Sequence, residues 1–314
     1  MIKRKYTSEF GINMYCNNNI ILQQDSLPEI INYYDGDPPD FHIYMICKRP
    51  RFLIKPDDVE INDETIRVKL LIQKKDSYEK INFEIPNDKA EGKVRYYSSE
   101  YPYSISSFLD SEKRPLFVSK TSLFVTMFSK YPIEESNLEI LYIGQAFGEN
   151  GERTAIDRLS SHSTLQKIYS EAMNNFPDHE IWLMLCSFSP AIITAIDGRS
   201  QEFEKSDEDD DEHVHQILSN PLSLQQKINF TEAALIRYFQ PPFNEKFKNY
   251  FPSKKHKSYS DCYEIDLNSV FVELGSDNLN CMLKSRIVAP TWTHFIHYPL
   301  NSEDERKSML DLTL

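Results

Sequence analysis

The sequence predicts an α+β protein, with β-rich sections at both ends and alternating strands and helices between them. Three observations lead there. Runs of β-branched and aromatic residues, punctuated by Asp, Asn and Pro, dominate residues 1–118 and return in 259–314. Between 119 and 258, apolar residues recur at helical spacing in several segments. The 314 residues are 40% apolar and 12% aromatic with only 8 glycines, a composition that suits a packed core.

The elements follow in order. "FHIYMIC", "RFLIKPDDVEI", "TIRVKLLIQ" and "KINFEIP" read as strands, separated by the turn signals "DGDPPD" and "INDET". "TSLFVTMFS" and "LEILYIG" read as a strand pair joined through "KYPIEESN", a hairpin. "TAIDRLSSH" is a short helix. "STLQKIYSEAMNNF" is a second, with Leu165, Ile168, Ala172 and Met173 as its apolar stripe. "EIWLMLCSFS" is a continuous apolar run, the pattern of a central buried strand. An acidic stretch, about 199–216, is too charged to fold alone and is expected to be a solvated loop insertion. "NFTEAALIRYF" is a helix that "QPP" ends. "CYEIDL", "SVFVEL", "MLKSRIVAP" and "THFIHYPL" are expected strands. The expected division is therefore 1–118, 119–258 and 259–314, with the last section free to pack on the first.

Composition narrows function. No stretch is apolar enough to span a membrane, and the basic N-terminus lacks the apolar core of a signal peptide. Five scattered cysteines without CxxC spacing suit reduced thiols in a cytoplasmic protein and argue against a zinc site. A formal charge of −13 excludes a surface that is basic throughout, but not a local basic groove.

The central section carries an ordered set of residues: Tyr142-Ile143-Gly144 at a strand end, Arg158 and His162 one turn apart on a helix, Glu232 in "FTEAALIRYF", and Asn244 after Pro241-Pro242. Over roughly 119–250 this set resembles the GIY-YIG nuclease superfamily. The first half of that signature, Gly-Ile-Tyr, is expected on the preceding strand, where Ser122-Leu123-Phe124 aligns instead.

The resemblance implies a metal-dependent endonuclease that hydrolyses DNA phosphodiesters. In that chemistry Tyr142 is base or base relay, Arg158 clamps the phosphate, and His162 shares its helical face. Glu232 would be the one carboxylate holding Mg²⁺ or Mn²⁺, and Asn244 would orient a loop carbonyl or a phosphate. Each residue also has an ordinary reading: a half-buried strand tyrosine, a surface arginine, a histidine favoured at a helix end, a glutamate in a helix's first turn, a turn asparagine.

Beyond Asn244, Lys246, Lys248, Lys254, Lys255 and Lys257 alternate with aromatics, a pattern for a nucleic-acid path or for a plain solvated loop. Two functions stay open: an active nuclease, or the same fold serving as a nucleic-acid-binding or assembly module. Cutting both strands with one site per chain would need a homodimer or two visits, and the β-rich sections are candidate partner surfaces.

Overall fold

The computed structural model describes all residues except 1–3, 31–33, 35–37, 88–91, 130–131, 148–154, 160–162, 199, 201, 221 and 312–314. Its strands and helices are β1 (Ser8–Leu22), β2 (Ile43–Pro50), β3 (Phe52–Leu53), β4 (Val59–Ile61), β5 (Thr65–Lys74), β6 (Ser77–Pro86), β7 (Tyr96–Ser98), β8 (Ile105–Leu109) and β9 (Pro115–Lys120). Next come α1 (Thr121–Phe128), β10 (Leu138–Gln145), α2 (Ala155–Leu159), α3 (Ser163–Asn175), β11 (His179–Ile196), α4 (Asp207–Ser219) and α5 (Leu224–Phe239). The chain closes with α6 (Asp261–Glu264), β12 (Ser269–Gly275), β13 (Leu283–Lys284) and β14 (Thr293–Pro299). The class is α+β.

One seven-stranded mixed sheet, ordered β13-β10-β2-β11-β1-β12-β14, organises the molecule. β11 lies at its centre, where its apolar run is covered on both faces. The two faces build two cores. Met45, Ile140, Trp182 and Met184 pack under α5 on one side, and Tyr44, Ile46, Leu183 and Leu185 pack under α2 and α3 on the other. The alternation of consecutive residues between cores is the period-two pattern of strands buried on both faces.

This sheet corrects the three-part division. β1 and β2 come from the first section, β10 and β11 from the second, and β12 to β14 from the third. The boundary at 118/119 cuts β9 of a separate three-stranded sheet, and the seven-stranded layer takes strands from both sides of it and of 258/259. β12 runs parallel to β1 over Gly11–Tyr15 and Ser269–Glu273. The buried Arg306 pairs with Asp266 at 2.7 Å and with Glu9 of β1, tying the C-terminal segment to the same sheet. What does stand apart is residues 51–137. They leave the sheet after β2, form a four-stranded and a three-stranded sheet around Phe52, Ile72, Phe108 and Phe124, and return at β10.

Three local expectations also change. "TSLFVTMF" is helix α1, not a strand. Its Thr121, Phe124, Val125 and Phe128 follow helical spacing, and Phe124 and Val125 bury against the satellite core. The hairpin with "LEILYIG" therefore does not exist, and β10 pairs instead with β2, antiparallel. The acidic run is likewise no loop from 207 onward. Ser206 caps α4 in a reciprocal capping box with Asp209, the first-turn carboxylates suit the helix N-terminus, and His213 and Ile217 turn inward. Finally, "CYEIDL" forms the short helix α6 rather than a strand, and "MLKSRIVAP" contributes only β13.

Candidate active site

The site lies at the end of β10, where both faces of the sheet meet. β10 pairs with β2 through a register shift between Ile140 and Tyr142. The shift is a bulge. Because of it, consecutive Leu141 and Tyr142 both join the core that contains Tyr44, whereas Ile140 and Ile143 belong to the other. Tyr142 thereby comes beside Tyr44, ring centroids 6.2 Å apart.

Gly144 explains itself in the same place. A Cβ there would come within 2.5 Å of the Tyr44 ring and hydroxyl and 2.8 Å of the Tyr142 ring. Only a residue without a side chain lets the two phenols lie across this strand.

The edge of β10 beyond Glu139 pairs with no strand residue of β13. The loop after α5 closes it instead. Phe243 N–H donates to the Leu141 carbonyl at 3.1 Å. Asn244 accepts from Ile143 N–H at 2.9 Å and donates to the Ile143 carbonyl at 2.8 Å. Asn244 is thus an imitation strand residue that satisfies both backbone groups of Ile143. Gln240, in left-handed conformation, ends α5 before Pro241 and starts this loop on its path.

Arg158 arrives from α2 on one face, and its Nε donates to the Tyr44 hydroxyl at 3.0 Å. Glu232 arrives from α5 on the other face. α5 begins at Leu224, capped by Ser223 and Gln226, so Glu232 sits mid-helix and the helix-dipole explanation of it does not apply. Gln145, directly after Gly144, donates from Nε2 to Glu232 Oε2 at 2.9 Å and to Asn229 Oδ1 at 2.8 Å. Tyr142, Arg158, Glu232 and Asn244 all line one cleft of about 720 Å³. His162 lies outside the described residues.

The charges are tuned by their surroundings. Burial pushes the Glu232 carboxyl up to about 7, against the opposing pull of Gln145, Arg158 and Lys246. Burial also raises the Tyr44 phenol, and Tyr142 adds to this while Arg158 opposes it. Tyr142 is raised by burial and by Glu232, against Arg158 and a hydrogen bond with Tyr44. Both shifts favour the protonated phenols at neutral pH. Glu232 is the group that titrates near neutrality.

The lysine run divides. Lys246 lines the cleft, whereas Lys254 is paired with Glu305 at 2.9 Å. Burial and Arg286 lower the Lys248 ammonium. Lys248, Lys254, Lys255 and Lys257 do not line the cleft, and Lys167 of α3, which the sequence reading passed over, does.

Among the described residues no group of three or more His, Cys, Asp or Glu side chains clusters as a metal cage. A single-carboxylate site of the Mg²⁺ kind does not need one, since waters and substrate oxygens fill most positions. The donors present suit it. Glu232 is a carboxylate that burial leaves short of compensating charge, and Gln145 Oε1 is a buried oxygen with no hydrogen-bond partner among the described residues.

Tyr44, Gln145, Asn229 and Lys167 were missed in the sequence. For Tyr44 the signal existed: "FHIYMIC" contains His42-Ile43-Tyr44, one residue away from Gly-Ile-Tyr, in a strand assigned elsewhere. No family model, curated protein or solved structure matches this chain.

Proposed function

We infer that the chain is a metal-dependent phosphodiesterase with a GIY-YIG-type site, acting on DNA as an endonuclease. One observation carries this reading. Three separate elements bring Tyr142, Arg158 and Glu232 to one cleft, and the antiparallel neighbour of the Tyr-Ile-Gly strand supplies an Ile-Tyr whose buried Tyr44 lies opposite Gly144 and accepts from Arg158.

The chemistry is hydrolysis: water attacks phosphorus, the P–O3′ bond breaks, and the products are a 5′-phosphate and a 3′-hydroxyl. Arg158 neutralises charge building on the equatorial oxygens, and stays fully cationic throughout. Tyr142, as a protonated phenol, donates a hydrogen bond to phosphate or water, while the buried Tyr44 accepts from Arg158 and holds it in place. Glu232 would hold Mg²⁺ or Mn²⁺, which when bound supplies Lewis acidity at the leaving oxygen. Asn244 keeps the β10 backbone, and hence Tyr142, in position rather than touching the phosphate. Lys246 and Lys167 extend the positive lining along the path of the strand.

The test is incubation of supercoiled plasmid with purified protein and Mg²⁺ or Mn²⁺, beside Arg158→Ala and Glu232→Ala proteins of matched thermal midpoint. Nicking or linearisation by the parent protein, abolished by EDTA and lost in both variants, is expected. Cleavage that both variants retain rejects the assigned site. Absence of any cleavage favours the binding or assembly module.

A further inference from the structure

The Gln145 amide is committed on one side and open on the other. Both Nε2 protons are used, one on Asn229 Oδ1 at 2.8 Å and one on Glu232 Oε2 at 2.9 Å. This fixes which way the amide points. Reversed, it would set its oxygen against the Glu232 carboxylate and leave its protons without those acceptors. The oxygen that remains, Oε1, is buried and has no partner among the described residues. A buried carbonyl left in that condition loses its hydration without replacement, so native structures normally give it a donor or a cation.

Its neighbours narrow the choice. The same amide holds Glu232, whose carboxyl lacks charge compensation, so an electropositive occupant beside Gln145 would satisfy both oxygens together. Amide oxygens are hard donors of the kind that Mg²⁺ and Mn²⁺ accept and that softer metals avoid. The position in the chain adds a reason. Gln145 follows Gly144 on the strand whose bulge and Asn244 clamp fix Tyr142, so the oxygen is carried on a backbone held from both edges.

We propose that Gln145 is a metal-site residue: its Nε2 orients Glu232, and its Oε1 is a second protein oxygen for the divalent cation, directly or through one bound water. This rests on the metal reading of the cleft given above.

The test is binding of Mn²⁺ alone to the full-length chain, read from loss of the free-ion electron paramagnetic resonance signal, at a pH above the Glu232 midpoint. Gln145→Met, which keeps the length and removes both polar atoms, is expected to weaken Mn²⁺ by about 10–100-fold. Gln145→Glu separates the two roles. As an oxygen ligand, the new carboxylate tightens binding. If Gln145 only positioned Glu232, the same change would weaken it, through lost donors and repulsion.

Weaker binding by both variants therefore overturns the ligand role, as does unchanged binding by Gln145→Met while Glu232→Gln loses the ion. Unchanged binding by Glu232→Gln, or no binding by the parent chain, removes the metal reading of the cleft and this inference with it. Should Gln145→Met fail to fold, the sign of the Gln145→Glu effect decides alone.

Discussion

The two ends of β2 each hold an arginine close to an acid, under opposite conditions. At one end Arg158 donates to the buried Tyr44 and lines a cleft that Glu232 also lines. At the other, Arg49 is 1% exposed and lies over the Trp182 ring at 4.2 Å. None of its guanidinium nitrogens has a hydrogen-bond partner among the described residues. Burial lowers its pKa, while Glu180, its cross-strand neighbour on β11, supports the charge. Glu180 Oε2 in turn accepts from Ser122 Oγ of α1 at 2.9 Å and from Trp182 Nε1 at 3.1 Å. One arginine lines an open cleft, and the other is sealed into the joint between the main sheet and the satellite section. Charge in a protein interior thus marks chemistry only where solvent and substrate can reach it.

The largest effects should fall at the open end. Arg158→Ala and Glu232→Ala are expected to lower plasmid cleavage by about 100-fold or more, with thermal midpoints close to the parent. A large loss of stability in either would erase the contrast.

At the sealed end the balance reverses. Glu180→Ala strands a buried cation and should cost about 3–5 kcal/mol in urea unfolding, while cleavage per folded molecule stays unchanged. A fall in cleavage without loss of stability would make Arg49 part of the working site.

Gly144→Ala sits between these extremes. Its Cβ displaces the phenol pair, so both readouts should move: about 1–3 kcal/mol of stability and roughly tenfold in rate.

The smallest effect is in pH. Burial raises the Glu232 carboxyl from 4.5 to about 7, so the native chain keeps a proton there that the unfolded chain has released. Stability from this group therefore falls as pH rises through that window. Glu232→Gln should match the parent in acid and become more stable by about 3 kcal/mol above neutrality. Cleavage by the parent should rise over the same range, as the carboxylate forms. Saturating Mn²⁺ should move that rise to lower pH.

The contrast also accounts for what was legible in the sequence. β10, β11, α3 and α5 were readable because their apolar residues are continuous or helically periodic, and such patterns survive any tertiary context. Tyr142, Arg158, Glu232 and Asn244 were readable as an ordered series, and they line one cleft. α1 was misread because its Phe and Val residues suit a strand by composition, and only its docking on the satellite core makes it a helix. α4 was misread because a run of carboxylates hides the inward positions of His213 and Ile217. Tyr44 was overlooked for a different reason. Its role depends on a pairing between β2 and β10 that no local window contains. Gln145 and Asn229 carry no signal in the sequence, because an amide becomes informative only when its neighbours are known.

That distant pairing has a consequence for assembly. Neighbouring strands joined by a tight turn zip together in about 1–10 μs. Here residues 51–137 intervene between the strands that carry Tyr44 and Tyr142. Longer closure adds only about 0.6 kcal/mol per doubling of loop length, so the equilibrium hardly registers the excursion. The order of events does. During synthesis β2 emerges well before β10 and β11, the two strands that pair with its edges. The phenol pair waits on both strands, so its formation depends on a part of the chain that lines none of the cleft.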